Sequence, residues 1–327
     1  MPIRFILMRF LRRFLALAAL IAACLWAQDP PKDKKKDPDQ IGNRDVAKGI
    51  NFYSIEKEIA LGKQLAQQVQ QTAKIIDDPV ISEYVNRLAQ NLARNSDAKV
   101  PLTTQVIQDE SINALSLPGG FFFVNTGLIL AASTEAELAG GMAHEIAHIA
   151  ARHGTRQASR AQVAQMATIP LIFMGGWAGY GARQAAGPLT AVTLLQFGQA
   201  FENEADLLGL QYLYKTGYDP NGIVDIFEKI EALNRRQPGK VSKFFATHPP
   251  TGDRIIKVQK NIEDLLKSQP QYVVTTSEFD MVKARLMMLE NRHKGDAPDP
   301  NRPRLRKAPD KLGELAKSTP VPSRPTN

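Results

Sequence analysis

Cysteine is all but absent: the 327 residues contain one, Cys24, which excludes an internal disulfide and leaves stability to core packing. No internal repeat is visible. Long apolar runs are missing too. Beyond the N-terminus only residues 164–182 approach the length of a membrane span, and Pro170 with Gly175, Gly176, Gly179 and Gly181 weakens any long helix there. A protein built from several membrane spans is thereby set aside, and the segment reads as a lid or a buried connection. Apolar residues are also scarce at both ends. Residues 29–40 read DPPKDKKKDPDQ, and residues 295–327 are rich in Pro, Lys and Arg. Neither stretch can offset the entropy of ordering a chain, so 24–50 is expected as a flexible linker and 295–327 as a disordered basic tail. Residues 51–294 remain as one folded body, in a chain that is 43% hydrophobic.

What the N-terminus does have is a targeting pattern over residues 1–23. Arg4, Arg9, Arg12 and Arg13 precede the apolar run FLALAALIAACLWA. The run is shorter than the roughly 20 residues of a span, so export with cleavage is expected. Two cleavage readings stay open. IAAC (residues 21–24) resembles a lipoprotein signal that would lipidate Cys24; ordinary cleavage after Ala27 is the alternative. The four arginines supply half of the formal net charge of +8, and much of the rest lies in the polar ends. That balance points to a solvated tail near an anionic membrane and not to nucleic acid.

Apolar residues recur at Ile55, Ile59, Leu61, Leu65 and Val69, which predicts a helix over 54–75. Asp78 and Pro79 predict the cap and first turn of a second. The period then changes. VPLTTQVIQ and GFFFVNTGLIL have strand composition and flank the turn-like SLPGG. Helical signal returns at STEAELAGGMAHEIAHIAARHG, with Thr134 and Glu137 as a capping box and Gly154 as the stop. Further helices are read at TLLQFGQAFENEADLLGLQYLYKTG, at DPNGIVDIFEKIEALNRR, after FFATHPPTGDR, and at FDMVKARLMMLENRHK, with QYVVTTSE before the last. The fold class expected is α+β: mainly helical, with a small sheet beside the histidine-bearing helix.

Residues 140–154, GGMAHEIAHIAARHG, hold three of the five histidines. Four helical residues turn through roughly 400°, so His144 and His148 share a face one turn apart and can both reach one Zn²⁺. Glu145 is offset by one position and is placed as the general base, taking a proton from a water the ion activates. The flanking residues are apolar, so this helix is expected to be buried, and two histidines with a glutamate buried without partners would cost several kcal/mol. His153 is expected to point away from the metal face and to rest against the helix C-terminal dipole. A third ligand is found further on: FENEAD places Glu202 and Asp206 one turn apart, Glu202 as ligand and Asp206 as acceptor for the spare ring N–H of a ligating histidine, with Glu204 on another face. Gly119 and Gly120 in LPGGFFFVN allow a tight turn or close backbone approach, and the strand that begins at Phe121 could offer an edge to an extended peptide.

Taken together, HEIAH, then ENEAD about fifty residues on, then THPPTGDR resemble the HtpX/BepA-type zinc metallopeptidases, the group that includes the CAAX prenyl proteases. EKEIALGKQ, NALSLPGGFFFVNTGLI and GYDPNGIV are similar to stretches of the periplasmic, BepA-like branch. The resemblance implies a zincin-type domain with His144, His148 and Glu202 on one zinc, Glu145 as base and Asp206 behind a ligand. It implies that His248 either occupies the fourth zinc position at rest or assists the transition state; Arg254 matches the same segment without a defined role. The tetratricopeptide repeats of that branch are not expected here. The function implied is zinc-dependent endopeptidase action on misfolded or stalled envelope proteins, in the periplasm or at the outer membrane as a lipoprotein. Membrane association would come through the lipid or residues 164–182. The alternative is a chaperone-like binding protein that uses the same groove with little cleavage.

Overall fold

The computed structural model describes residues 33–173, 197–236, 248 and 251–296. The expected signal segment, residues 174–196 of the apolar stretch and the tail beyond 296 lie outside these. The chain divides into two compact units, Met1–Met287 and Met288–Asn327. Of the second, the described part is helical, residues 288–296, with Met288 exposed.

Helix α1 (Ile55–Thr72) starts where Ser54 accepts a hydrogen bond from Lys57 N, and α2 (Pro79–Arg94) where the Asp78 carboxylate accepts from Val80 N and Ile81 N. Ile81, Tyr84, Val85, Leu88, Ala89 and Leu92 make the buried stripe of α2 at the three- and four-residue spacing of one helix face. Three strands follow, β1 (Thr103–Ile107), β2 (Ala114–Leu117) and β3 (Phe121–Asn125), in the order β1-β3-β2. β3 is central, parallel to β1 and antiparallel to β2.

Two expectations are corrected here. ALSL, whose last two residues fall in the expected turn SLPGG, is a strand, and TGLIL, expected to prolong a strand, is the short helix α3 (Thr126–Ala131). Four residues are too few to display an alternation, and a fully buried apolar run carries no period that separates strand from helix.

Helix α4 (Glu135–Ala150) is buried along nearly all its length, with α6 (Gln199–Lys215) and α7 (Asn221–Arg236) packed on it and β2 alongside. The first half of its expected capping box forms, with Thr134 Oγ1 accepting from Glu137 N at 3.2 Å; Glu137 Oε2 reaches one residue further back and accepts from Ser133 N at 2.8 Å. The stop expected at Gly154 falls instead on Arg152, a non-glycine residue at φ 56°. Its side chain secures that backbone by donating to Glu58 Oε2 (2.6 Å) and Tyr53 O (2.7 Å). Gly154 lies in the first turn of α5 (His153–Phe173).

The expected linker is corrected as well. From residue 33 the chain lies against the body, with Arg44 and Val46 buried. The Arg44 guanidinium donates to Asp97 Oδ2 (2.9 Å) and Gln211 Oε1 (2.7 Å), and to the carbonyls of Lys34, Lys35 and Asp37. One buried cation thus supplies the cohesion that an apolar-poor segment lacks. The helices α8 (Gly252–Leu265) and α9 (Ser277–Asp296) are the last described elements, and QYVVTTSE joins the body through a bridge between Val273 and Tyr218, a hydrogen bond from Ala136 N to Val274 O at 2.9 Å and one from Thr276 Oγ1 to Glu135. No helix among the described residues is long and apolar enough to cross a membrane. The architecture is mainly helical with a small mixed sheet, α+β, and β2 lies next to the histidine helix.

Candidate metal centre

α4 carries His144 and His148 on one face, with their Nε2 atoms 3.2 Å apart. α6 brings Glu202 across them: Oε2 lies 3.5 Å from His144 Nε2 and Oε1 lies 3.6 Å from His148 Nε2. The approach of the two helices requires Gly209, since a Cβ at that position would stand 2.9 Å from His144 Cα. Aromatic rings hold the imidazoles, Phe197 stacked on His148 and Phe227 edge-on to His144. His248 reaches in from the segment before α8, with Nδ1 2.5 Å from Glu202 Oε1. Ligand atoms of His144, His148, Glu202 and His248 all lie within 4.8 Å of one another, and all four residues are buried.

The donor set fits zinc. Tetrahedral bonds of 2.0–2.1 Å to nitrogen place neighbouring ligand atoms about 3.4 Å apart. The three measured separations among His144, His148 and Glu202, 3.2, 3.5 and 3.6 Å, bracket that value. Two imidazole nitrogens and a carboxylate aimed at one buried point also need a cation there, or protons, to avoid facing one another.

The surrounding charges follow the same logic. His144 Nδ1 lies 3.1 Å from Asp206 Oδ1. Arg254 holds Asp206 with two donors, Nε to Oδ2 at 2.8 Å and Nη2 to Oδ1 at 2.7 Å, and reaches Glu202 Oε2 with Nη1 at 2.9 Å. Burial alone would depress His144, yet Asp206 and Glu202 outweigh it and raise its pKa to about 9. A cation therefore competes with a proton at this ring. His148 goes the other way: burial and the neighbouring histidines hold it well below the usual histidine range, although Glu202 opposes them. Glu202 and Asp206 stay depressed despite burial, Glu202 through His144 and His248, Asp206 through Arg254 and His144. Glu145 is raised by burial, against the pull of His248, His144 and a 2.8 Å hydrogen bond from Ser116 Oγ to its Oε2.

His153 is not in the donor cluster, and it opens α5 instead of resting at the C-terminal end of α4. It is fully buried, with Nδ1 2.9 Å from His148 Nδ1 and Nε2 3.2 Å from Glu204 Oε2. Burial lowers it to about 4, with Glu204 pulling upward, and Glu204 is lowered to about 2 against burial by His153, Lys35 and Arg156. The left-handed Arg152 separates α4 from α5 and precedes His153, whose ring meets His148 on the ligand helix.

The expected peptide edge is corrected. β3, which begins at Phe121, is paired on both sides, so among the described strands the unpaired edge beside α4 belongs to β2. Gly119 and Gly120 are buried at φ 75° and 91°, where added Cβ atoms would strike Ile59 and the Pro101 carbonyl. They serve the turn. Sequence reasoning missed Ser116, the backing role of His153 and Glu204, and the double grip of Arg254. Ser116, Glu204 and Arg254 have no local spacing that marks them, since Glu145, His153, Asp206 and Glu202 lie 29, 51, 48 and 52 residues from them; His153 is only five residues from His148, but its approach depends on the backbone turn between them.

A family model described as Peptidase family M48 matches residues 79–262. The chain is 32% identical over 283 residues to a putative beta-barrel assembly-enhancing protease of Vibrio cholerae, covering 84% of this chain and 57% of that protein. It is 27% identical over 287 residues to the beta-barrel assembly-enhancing protease of Escherichia coli K12, with the same two coverages. Over 185 residues it is 31% identical to the mitochondrial metalloendopeptidase OMA1 of Schizosaccharomyces pombe, covering 54% of this chain and 52% of that one. The chain thus spans a little over half the length of these relatives.

Proposed function

The chain belongs to peptidase family M48, and from that premise we propose that it is a zinc-dependent endopeptidase acting on misfolded or stalled envelope proteins. The observation that carries the reading is the convergence of two imidazoles from α4 and one carboxylate from α6 on a single buried point, with Glu145 beside them. His144, His148 and Glu202 are the proposed ligands. Bound there, zinc supplies a Lewis acid that makes water nucleophilic near neutral pH and polarises a scissile carbonyl. Glu145 takes the proton of the attacking water and returns it to the leaving amine, and Ser116 aims its carboxylate. Asp206 orients His144, and Arg254 holds Asp206 and Glu202 in register. His248 completes the donor set in this closed arrangement, and its withdrawal would open the fourth position. An extended peptide is proposed to add to the free edge of β2, which runs beside α4 and carries Ser116.

The names of the bacterial relatives support an envelope substrate, and the N-terminal targeting pattern supports work in the periplasm or at the outer membrane. Mass spectrometry of the N-terminus distinguishes a lipidated Cys24 from cleavage after Ala27. The test of function is Glu145→Gln. It should reduce casein cleavage at least about a hundredfold while zinc stays near one per chain, the scale of a lost general base. Unchanged cleavage removes Glu145 from the chemistry. Binding of an unfolded protein without fragments, with zinc present and chelator making no difference, would favour the chaperone reading instead.

A further inference from the structure

Of the two ligand imidazoles on α4, His144 is backed by Asp206, and His148 is backed by something the proposed chemistry does not use. His148 turns its Nδ1 to His153 Nδ1, 2.9 Å away, and the far side of the His153 ring meets Glu204 Oε2 at 3.2 Å. Glu204 is gripped by Arg156 Nη1 at 3.1 Å and by Lys35 Nζ at 2.5 Å. Lys35 belongs to the N-terminal arm, whose carbonyls at Lys34, Lys35 and Asp37 are all held by the buried Arg44, and Gln211 Nε2 donates to Lys35 O at 2.9 Å. A continuous line of polar contacts therefore runs from the arm to the metal face.

Counting hydrogens gives the line a direction. A histidine that ligates through Nε2 is neutral and carries its proton on Nδ1. In His148 that proton faces His153 Nδ1, which must then be the acceptor. His153 consequently carries its own proton on Nε2 and donates it to Glu204, which accepts as an anion between two cations. Each member satisfies the next only in this arrangement. With the opposite tautomer, His148 would present a proton where the metal belongs.

We propose that His153, Glu204 and Lys35 are positioning residues that lock the tautomer and ring plane of His148, so that docking of the N-terminal arm strengthens zinc binding. This rests on the zinc reading above. The competing account makes His153 an aromatic core residue, stacked on Phe201 with centroids 4.3 Å apart. His153→Phe separates the two, because it keeps the stack and removes the hydrogen bonds. The measurement is the zinc dissociation constant of the whole chain by competition with a fluorescent chelator, beside the Tm of the zinc-free protein. His153→Phe should weaken zinc about 10- to 100-fold with little change in that Tm, and Glu204→Gln about tenfold. Lys35→Met should weaken it several-fold. The double variant His153→Phe/Glu204→Gln should bind no more weakly than His153→Phe alone, since Glu204 acts through His153. Zinc affinities within about twofold of wild type, or penalties that add in the double variant, overturn the relay. Should His153→Phe fail to fold, Glu204→Gln and Lys35→Met decide by the same criterion. A wild-type chain that takes up no zinc overturns the metal reading and the relay with it, whereas a wild type that binds and variants that match it overturn the relay alone.

Discussion

Glu145 occupies a buried position where burial alone raises its pKa and so weakens its ionised, base-competent form. The Ser116 hydroxyl works against that rise by donating to its Oε2 at 2.8 Å. Removing the donor in Ser116→Ala lets the pKa climb further. Since the base must be deprotonated, activity falls as pH drops through its pKa, and the acid limb of kcat/KM in the variant should move to higher pH. At neutral pH the loss should be about tenfold, the scale of one hydrogen bond to a charged group. A pH profile with an unmoved acid limb would rule this out. The contrast between the two residues also shows what is readable locally. His144, Glu145 and His148 are legible because helix geometry alone puts residues four apart on one face. Ser116 sits in a four-residue strand whose partner is 29 positions away, and nothing in ALSL marks it.

Between elements, the site depends on how closely α6 can lie on α4. Gly209 is the point of contact, with no room for a side chain above the His144 backbone. Intrinsic propensity favours Gly→Ala in a helix by about 1 kcal/mol. Here overpacking should reverse the sign: Gly209→Ala is expected to destabilise by about 1–3 kcal/mol in urea denaturation. It should also push Glu202 and Asp206 away from the imidazoles, so zinc affinity and cleavage fall together. A stabilised variant with full activity would show that the helices do not need this approach. The helices themselves were readable, because the apolar period marks α1 and because Asp78 and Thr134 cap α2 and α4 as their local sequence requires. β2 and α3 were not, because short buried runs take whichever backbone form their neighbours impose.

For the whole molecule, the N-terminal arm is the part composition describes least well. DKKKDPDQ (residues 33–40) lacks apolar side chains, yet the arm is fastened because Arg44, downstream, is buried against Asp97 and collects carbonyls from the arm itself. Arg44→Met should cost about 3 kcal/mol in denaturation, since it leaves the Asp97 carboxylate buried without its cation. It should also expose the arm to protease before the body unfolds; an arm that stays protected would mean that other contacts suffice. Sequence alone determined the helical periods, the caps and the spacing that sets two histidines and Glu145 on one turn, because those depend on neighbours within a few positions. The tertiary structure decided that Glu204, read only as lying on another face of its helix, backs His153. It also placed Arg254 on Asp206 and Glu202 and the arm against Glu204. Those contacts join elements far apart in the chain, and only the packing of α4 between α6, α7 and the sheet brings them together.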